Sequence, residues 1–449
     1  MGGANFLFLS VFFHYFRLVV KYCQFYSKYF KFIGYLFSKK YAPAKTNHKF
    51  NILLYASNGE KEIVPLLFDL FNQNYPKDKY EITVIICNSK DKTKSVVEEF
   101  IKEKCGENEV KISVFEIKNE AIFNCSLAYK EYFKSVNPSS FSAFSFFTLW
   151  STSVSVSYLQ KMNDAFDAGE KVVSPATLIK NIFSNFVTFS NATTWNSGTI
   201  FSRRGKSLIP FLSSPLRMEG TIVERDVVRE AFKSTSCKDF RSEFDVFLGT
   251  NGIKIAYYDS TVVYVKSTEN FNEEIKGRVT YYANHCEYFQ TCFSRDLFRI
   301  LWKLVTFQGN FLCLYDTLWT HLYFLCFFYY VGNLMWMVEF ITDFNPTNLS
   351  KFSYSTYLKS KLMYYSSQYL WTLFGEIIIA IYFYRDKIFR TKKTGLLHII
   401  KCALFSPVLM LMNPLVLFQA MVLRQMKKLY GKVVTLSNAF YKKSGEVRK

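Results

Sequence analysis

Residues 50–104 alternate between short apolar strands and amphipathic helices, and this alternation constrains the fold more than any other feature of the chain. Aliphatic and aromatic residues fill 50–56 and 80–86, as expected of buried strands. Apolar residues recur at helical spacing between Glu60 and Asn74, and a second helix is predicted from Lys94 to Lys104. A strand, a helix and a second strand at this spacing predict a βαβ unit with parallel strands. The chain is therefore predicted to contain an open α/β sheet.

Two polar loops follow the predicted strands and are the first candidate ligand-binding segments. In open α/β sheets, ligands bind beyond the carboxyl ends of the strands. The candidate nucleotide- or substrate-binding residues in these loops are Asn58, Glu60, Asn88 and Asp91. A structural role is the alternative, because asparagine is common in such loops and Asp91 with Thr93 can start the next helix.

Further blocks follow along the chain in a fixed order. They are Gln73–Pro76, Asn88–Thr93, Tyr158–Phe166, Gly169–Val173, Asn196–Ile200 and Asn251–Tyr257. In order and spacing these blocks resemble family-2 glycosyltransferases, which are membrane-associated inverting enzymes with a type-A nucleotide-sugar transferase fold. The resemblance covers residues 50–285 and implies a Rossmann-like α/β domain that binds a nucleotide sugar. It also implies that Asn196–Ile200 is an acceptor-side loop, in which Gly198 is predicted to be a turn residue.

The aspartates that the family uses to bind the nucleotide and the metal ion are absent from the corresponding positions of this sequence. The family binds the nucleotide base through an aspartate that ends the second strand, and Cys87 stands there instead. The Asp-x-Asp pair that holds Mg²⁺ or Mn²⁺ corresponds to Leu149-Trp150-Ser151, and residues 144–159 contain no acid. Leucine and tryptophan offer no oxygen ligand to a hard cation. The resemblance thus implies a Mg or Mn cofactor for which the ligand motif is absent, and no metal ligand is assigned.

The general-base motif of the family is also altered. Its Thr-Glu-Asp block corresponds to Asp239-Phe240-Arg241, and a protonated arginine cannot act as a base. A shift in register of two or four residues offers Glu243 or Asp245 as reserve catalytic candidates. The alternative is that both acids are solvated or cap a helix on an exposed face. Loss of a general base typically costs about 10²–10⁴ in rate.

Arg278 and two tryptophans complete the set of candidate site residues. The family's Gln-Arg-x-x-Trp motif, which binds the diphosphate or the acceptor, corresponds to residues 277–281 and keeps only Arg278 and the aromatic Tyr281. Arg278 fits either a phosphate ligand or an ordinary surface charge. Trp150 and Trp195 fit either stacking on a sugar ring or burial in a core, and burial is the commoner situation for such side chains.

Apolar segments near both ends predict attachment to a membrane. Residues 1–44 are predicted to be a membrane anchor or an amphipathic helix on the membrane surface. Residues 317–341 and 363–384 are predicted to span the membrane, although the second segment contains Glu376, which at that depth is a candidate functional residue. Residues 396–423 contain two prolines between basic clusters and are predicted to form a re-entrant or interfacial hairpin.

This topology defines the predicted domains of a multi-pass membrane protein. An α/β domain at 45–300 is followed by membrane helices at 301–432 and a basic tail at 433–449. Basic residues that flank membrane segments are expected on the cytoplasmic side of the membrane. With two crossings and a hairpin, the α/β domain therefore lies on the cytoplasmic face.

Composition agrees with a membrane setting. The net charge of +20 (56 − 36) is scattered along the chain without a recognisable nucleic-acid module, so anionic lipid is the predicted partner and nucleic acid is not. The ten cysteines lack the spacing of a zinc site or of a disulfide framework.

Two functions remain open from the sequence. One is a membrane-bound glycosyltransferase that transfers sugar from a nucleotide sugar to a polysaccharide or lipid-linked acceptor. The other is a catalytically inactive relative that binds or scaffolds, with an active glycosyltransferase paralogue as a partner.

Overall fold

A computed structural model gives the fold of the chain. It describes residues 29, 32–104, 110–119, 122, 124–136, 140–209, 213, 216–236, 240–288, 294–306, 363, 370, 373–385, 387–389, 395–406 and 419. The predicted span at 317–341 and the tail at 433–449 lie outside these residues, as do most of the anchor at 1–44 and parts of 363–384 and 396–423.

One eight-stranded sheet forms the centre of the molecule, with the strand order β3-β2-β1-β4-β7-β6-β8-β5. The strands are β1 Phe50–Ala56, β2 Tyr80–Cys87, β3 Lys111–Ile117, β4 Ala143–Thr148, β5 Ser151–Val154, β6 Val172–Ile179, β7 Thr221–Glu224 and β8 Ile255–Val265. Strands β1 to β4 pair in parallel, β7 runs antiparallel to both β4 and β6, and β6 pairs in parallel with β8. The predicted parallel βαβ unit and the α/β class are confirmed.

Helices connect and cover these strands. They are α1 Ile63–Phe71, α2 Thr93–Lys104, α3 Cys125–Ser135, α4 Tyr158–Asp167, α5 Phe186–Ser197, α6 Arg204–Ser207, α7 Arg225–Ser234, α8 Phe240–Thr250, α9 Phe271–Tyr288, α10 Ser294–Val305 and α11 Leu396–Phe405. Residues 32–36 and 373–384 are also helical, and Lys77–Lys79 and Lys387–Phe389 form single 3₁₀ turns. Gly198–Arg203 is a π-helical turn that continues α5 into α6.

The alternation of side chains along β1 explains the two-sided core. Ile52 and Leu54 point into a cluster that contains the apolar stripe of α1, whereas Leu53 lies in a second cluster that contains Tyr129 of α3. Successive residues of a strand face opposite sides of its sheet. An apolar run without polar alternation is therefore what a central strand covered on both faces requires.

The sheet curls so that its far edge returns to the end of β4. Only Leu149 and Trp150 separate β4 from β5, yet β5 pairs with β8 at the opposite end of the strand order. The three Cα–Cα steps from Thr148 to Ser151 cannot span more than about 10 Å, so the end of β4 and the β5–β8 edge are neighbours. This curl brings the second half of the chain to the carboxyl ends of the parallel strands.

Block 196–200 differs from the sequence prediction of an acceptor-side loop. It is helical, and Gly198 has φ −62° and ψ −40°, so the prediction of a turn residue there is wrong. The side chain of Asn196 explains this placement: its Oδ1 accepts from Ile179 N at 2.8 Å and its Nδ2 donates to Ile179 O at 3.1 Å. The asparagine thus ties α5 to the end of β6 instead of opening a loop.

A third apolar cluster joins α5, β6 and β8 to the helices near the C-terminus. Ala380, Phe383, Cys402 and other residues of 373–384 and α11 pack there against Phe183, Phe189 and Val265. The helical residues 32–36 approach the same region, where Tyr35 lies 5.8 Å from the ring of Phe201. Within the described part of the chain, no helix combines the length and apolar character needed to cross a membrane.

Candidate functional site

The carboxyl ends of β1, β2 and β4 meet at one edge of the sheet because these strands are parallel and in register. Loops 57–62 and 88–92 and the turn between β4 and β5 therefore lie together. This is the edge at which the sequence predicts a pocket.

Asn58 and Asn88 hold the first two loops together through backbone groups. Both adopt a left-handed conformation, with φ of 52° and 49°, which asparagine tolerates better than most residues. The Asn58 carboxamide oxygen accepts from Lys90 N at 2.8 Å. The Asn88 side chain donates to the carbonyls of Asn119 and Ile122, both at 2.9 Å, and accepts from Asn119 N at 3.0 Å. These contacts fit the structural alternative, and a ligand-binding role for either residue stays a prediction.

Glu60 and Asp91 also make contacts within the loops. Asp91 accepts hydrogen bonds from the backbone and hydroxyl of Thr93 and from Glu60 N. These bonds, led by the one from the Thr93 hydroxyl, hold the pKa of the Asp91 carboxyl below its usual value. The Glu60 carboxylate accepts from Lys92 N at 3.3 Å. The pairing of Asp91 with Thr93 at the start of α2 is the helix-starting role that the sequence offered as the alternative.

Cys87 occupies the position of the base-binding aspartate but is enclosed. Its thiol donates to Ile122 O at 3.4 Å. Burial raises the pKa of Cys87 and raises that of the neighbouring Cys125 to about 11, so both thiols are protonated at neutral pH. Neither thiol can replace the charge of an aspartate.

Leu149 fills the gap between the β4 turn and the first loop. A Cβ atom placed on Gly59 would lie 1.9 Å from Leu149 Cδ1. A side chain at 59 would therefore force Leu149 out of its present position, and the leucine side chain stands where the resemblance places the first metal-binding aspartate. The contact makes this part of the edge apolar.

Glu219 supplies a carboxylate at the same turn. Its oxygens accept from Thr148 N at 3.1 Å, from Thr148 Oγ1 at 2.6 Å and from the Ser151 hydroxyl. The side chain is buried, and burial raises the pKa of Glu219 although the bonds from Ser151 and Thr148 act in the opposite direction. The sequence analysis missed Glu219 because no motif or spacing links it to residues about 70 positions earlier.

The reserve bases Glu243 and Asp245 lie on α8 and are buried, so the interpretation that they sit on an exposed face is wrong. Glu243 accepts from the backbone and hydroxyl of Ser236, each at 2.6 Å. Asp245 accepts from Leu216 N at 3.0 Å and thereby fixes the segment that carries Glu219. A catalytic role for either acid stays a prediction.

Arg278 binds side chains of α9 and α5. It donates to Glu274 one turn earlier on α9 and to Asn191 on α5, both at 2.7 Å. A phosphate-binding role for Arg278 stays a prediction.

Two tryptophans and an arginine border the turn on the side of the second half of the chain. The rings of Trp150 and Trp195 meet edge to face, with centroids 5.0 Å apart. The guanidinium carbon of Arg217 lies 3.1 Å from the centroid of Trp195. Trp195 is half-buried, whereas 37% of Trp150 is exposed.

The residues of this edge do not fit the divalent ion that the family resemblance implies. Leu149 and Trp150 offer no oxygen ligand, and the Glu219 carboxylate already accepts three hydrogen bonds. In the residues that the structure covers, no three His, Cys, Asp or Glu side chains form a metal-binding group. The donor set at the turn is therefore one engaged carboxylate and two hydroxyls, which is poor for Mg²⁺ or Mn²⁺.

Comparisons with known proteins give distant structural similarity alone. No protein-family model matches the chain, and no curated protein matches it. The chain is similar to mannosyltransferase PcManGT from Pyrobaculum calidifontis in complex with GDP-Man and Mn²⁺, with 13% identity, a TM-score of 0.49 and coverage of 87% of this chain and 97% of that one. TarS 1–349 from S. aureus gives 16% identity, a TM-score of 0.34 and coverage of 53% and 66%. Its complex with UDP-GlcNAc gives 14% identity with the same TM-score and coverage. At these TM-scores the similarity is too low to establish a shared fold.

Proposed function

We propose that this chain is a membrane-associated, glycosyltransferase-like protein that lacks metal-dependent sugar transfer and acts as a binding or scaffolding subunit. One observation carries the proposal: at the β4 turn, a leucine packs against Gly59 and the carboxylate of Glu219 is held by Thr148 and Ser151. The order of the sequence blocks along one mixed sheet, whose strands β1 to β4 are parallel, supports the transferase-like scaffold.

The chemistry of sugar transfer explains why this turn matters. A nucleoside diphosphate leaves a sugar only if its developing negative charge is offset, commonly by a divalent ion on oxygen ligands. A carboxyl group that is buried, has a raised pKa and is already hydrogen-bonded offers little compensation to such an ion. The same edge can still bind a ligand without catalysing transfer.

Membrane association is supported by apolar side chains exposed on several helices. On α10, Phe298, Leu301, Trp302 and Val305 are 43–73% exposed and follow the i, i+3, i+4, i+7 spacing of one helical face. Leu396 and Leu397 of α11 are 73% and 76% exposed. Such faces next to basic residues are typical of helices that lie on anionic lipid.

A metal-binding and turnover experiment tests this function. The full-length protein in detergent would be titrated with Mn²⁺, UDP and GDP by calorimetry and then assayed for hydrolysis of UDP- and GDP-sugars. We expect neither metal-dependent nucleotide binding nor turnover. Micromolar, Mn²⁺-dependent binding of UDP or GDP, or turnover that requires the metal, contradicts the proposal.

A gain-of-function variant provides the positive control. Leu149→Asp with Ser151→Asp places two carboxylates beside Glu219, a ligand set that suits Mn²⁺. We expect this variant to bind Mn²⁺ where the parent does not. A folded variant that still fails to bind the ion contradicts the proposal that this edge has a transferase-like geometry.

A metal-independent transferase is the second candidate, and Glu219 is the observation that favours it. A buried carboxyl at the carboxyl end of β4 whose pKa is raised by burial keeps its proton to a higher pH than an exposed carboxyl does, as a general acid requires. This candidate predicts consumption of a nucleotide sugar in EDTA that Glu219→Gln abolishes and Glu243→Gln leaves intact. Absence of turnover in EDTA excludes it.

A further inference from the structure

We infer that Trp150, with Trp195 beside it, forms a subsite for a neutral saccharide chain, one pyranose ring of which stacks on the exposed indole of Trp150. The inference deepens the proposed binding role, on which it rests, by naming the class of ligand. It follows from the rigidity, exposure and surroundings of this ring.

The Trp150 ring is fixed although it is exposed. Its indole N–H donates to Lys266 O at 2.8 Å, its backbone N–H donates to Thr148 Oγ1 at 3.3 Å, and its carbonyl accepts from Lys266 N at 3.4 Å. The edge-to-face contact with Trp195 restrains the ring further. An immobilised aromatic ring provides contact area without a large entropic cost on binding.

The second tryptophan is equally constrained. The indole N–H of Trp195 donates to Thr177 O at 2.9 Å, and the guanidinium of Arg217 covers one ring face at 3.1 Å. The contact with Arg217 holds the Trp195 ring in place. The more exposed indole of Trp150 is then the ring on which a sugar can stack. Both indole N–H groups are thus used by the protein, so apolar ring faces are what remains for a ligand.

The polar groups around this pair are amides, a hydroxyl and two cations that the protein already engages: Arg217 stacks on Trp195, and Arg278 pairs with Glu274. Asn191 lies one turn before Trp195 on α5 and donates to the hydroxyl of Ser267 at 3.1 Å. Asn181 donates to Ser267 O at 2.8 Å and accepts from Ser267 N at 3.0 Å. Ser267 directly follows Lys266, the residue that holds the Trp150 ring.

This combination suits a sugar ring. The face of an aromatic ring is electronegative, and it attracts the polarised C–H groups on one side of a pyranose while the hydroxyls point outward to amides and serine. A nucleotide is expected at the ends of β1 and β2, and the turn that carries Trp150 adjoins these loops at the same edge. Trp150 follows β4, on the side of the sheet that leads to β5 and β8.

Calorimetric titration of the full-length protein in detergent with cellohexaose, chitohexaose, maltohexaose and mannohexaose, without nucleotide or metal, tests the inference. We expect at least one oligosaccharide to bind. Trp150→Ala should weaken that binding about ten-fold or more, as expected for loss of one aromatic stacking contact, and Trp150→Phe should retain most of it. Trp302→Ala is the matched control, because Trp302 is also exposed but lies on α10. A thermal melt of each variant shows whether it is folded.

Two results overturn the inference: no oligosaccharide binds, or Trp150→Ala and Trp302→Ala weaken binding equally. The test is separate from that of the proposed function. Metal-dependent donor turnover would refute the proposed function while leaving saccharide binding at Trp150 intact. Saccharide binding without Trp150 would refute the subsite while leaving the absence of metal-dependent transfer intact.

Discussion

At the scale of single residues, Gly59 and Leu149 form the contact on which the shape of the site depends. Gly59→Ala places a methyl group 1.9 Å from Leu149 Cδ1. Overpacking of this kind costs about 1–3 kcal/mol of unfolding free energy. We expect Gly59→Ala to lower stability by that amount and the additional change Leu149→Ala to recover part of it, because the truncated side chain makes room. Denaturant unfolding of both single variants and the double variant measures the coupling, and strict additivity of the two changes would argue against the contact.

Glu219 makes stability depend on pH in a direction that can be worked out. Burial raises its folded-state pKa above the usual 4.5, so the folded chain binds this proton more tightly than the unfolded chain. Its contribution to stability is therefore fully present below the unfolded pKa and is lost as the pH rises through the folded pKa. We expect the stability of Glu219→Gln relative to the parent to increase between about pH 5 and about pH 8. Thermal melts at both pH values test this, with the exposed Glu131→Gln as control, and a pH-independent difference would falsify it.

Side-chain contacts of the site could be predicted from the sequence only where the two residues are close together along the chain. The pairing of Asp91 with Thr93 could be anticipated because both atoms belong to the start of one helix. Glu219 could not be, because its contact with Thr148 and Ser151 arises from the antiparallel pairing of β7 with β4. Long-range pairing of this kind leaves no fixed spacing in the sequence.

At the scale of elements, the close approach of residues 32–36 to the π-helical turn depends on Gly34. A Cβ atom on Gly34 would lie 1.8 Å from Phe201 O and 2.6 Å from Gly205 N, both of which are backbone atoms that cannot rotate away. We expect Gly34→Ala to displace the N-terminal segment and to speed tryptic cleavage at Lys39 and Lys40. Gly277→Ala on α9 is the control, since its Cβ meets no atom within 4 Å and alanine favours a helix by up to about 1 kcal/mol. Equal cleavage rates in the parent and Gly34→Ala would contradict this packing.

Strands were easier to predict than the helices of the second half. The predicted strands at 50–56 and 80–86 agree with β1 and β2 to within one residue, because buried parallel strands read as continuous apolar runs. The prediction of a loop at 196–200 was wrong because Gly198 suggested a turn, whereas the hydrogen bonds of Asn196 to Ile179 keep the helix continuous. The tertiary contact overrides the local preference of glycine.

At the scale of the whole molecule, the exposed apolar faces of α10 and α11 raise the question of what covers them. On α10, Ile300 is fully buried while Phe298 and Trp302 on the other face are 68% and 57% exposed. Lys303 donates to Thr250 O and so fixes the helix against α8. A rigid helix with one apolar and one packed face is suited to lie at a lipid surface.

Depth-dependent quenching in vesicles tests this orientation. With the full-length chain in vesicles, we expect brominated lipid to quench Trp302, seen as the fluorescence difference between the parent and Trp302→Phe. Acrylamide should quench that component weakly, because the indole would lie at the headgroup and acyl boundary. The fluorescence difference between the parent and Trp150→Phe isolates the Trp150 indole at the sheet edge. This component should be quenched by acrylamide and not by brominated lipid. If Trp302 behaves like Trp150, α10 does not face lipid, and its apolar face must be covered by another part of the chain or by a partner protein.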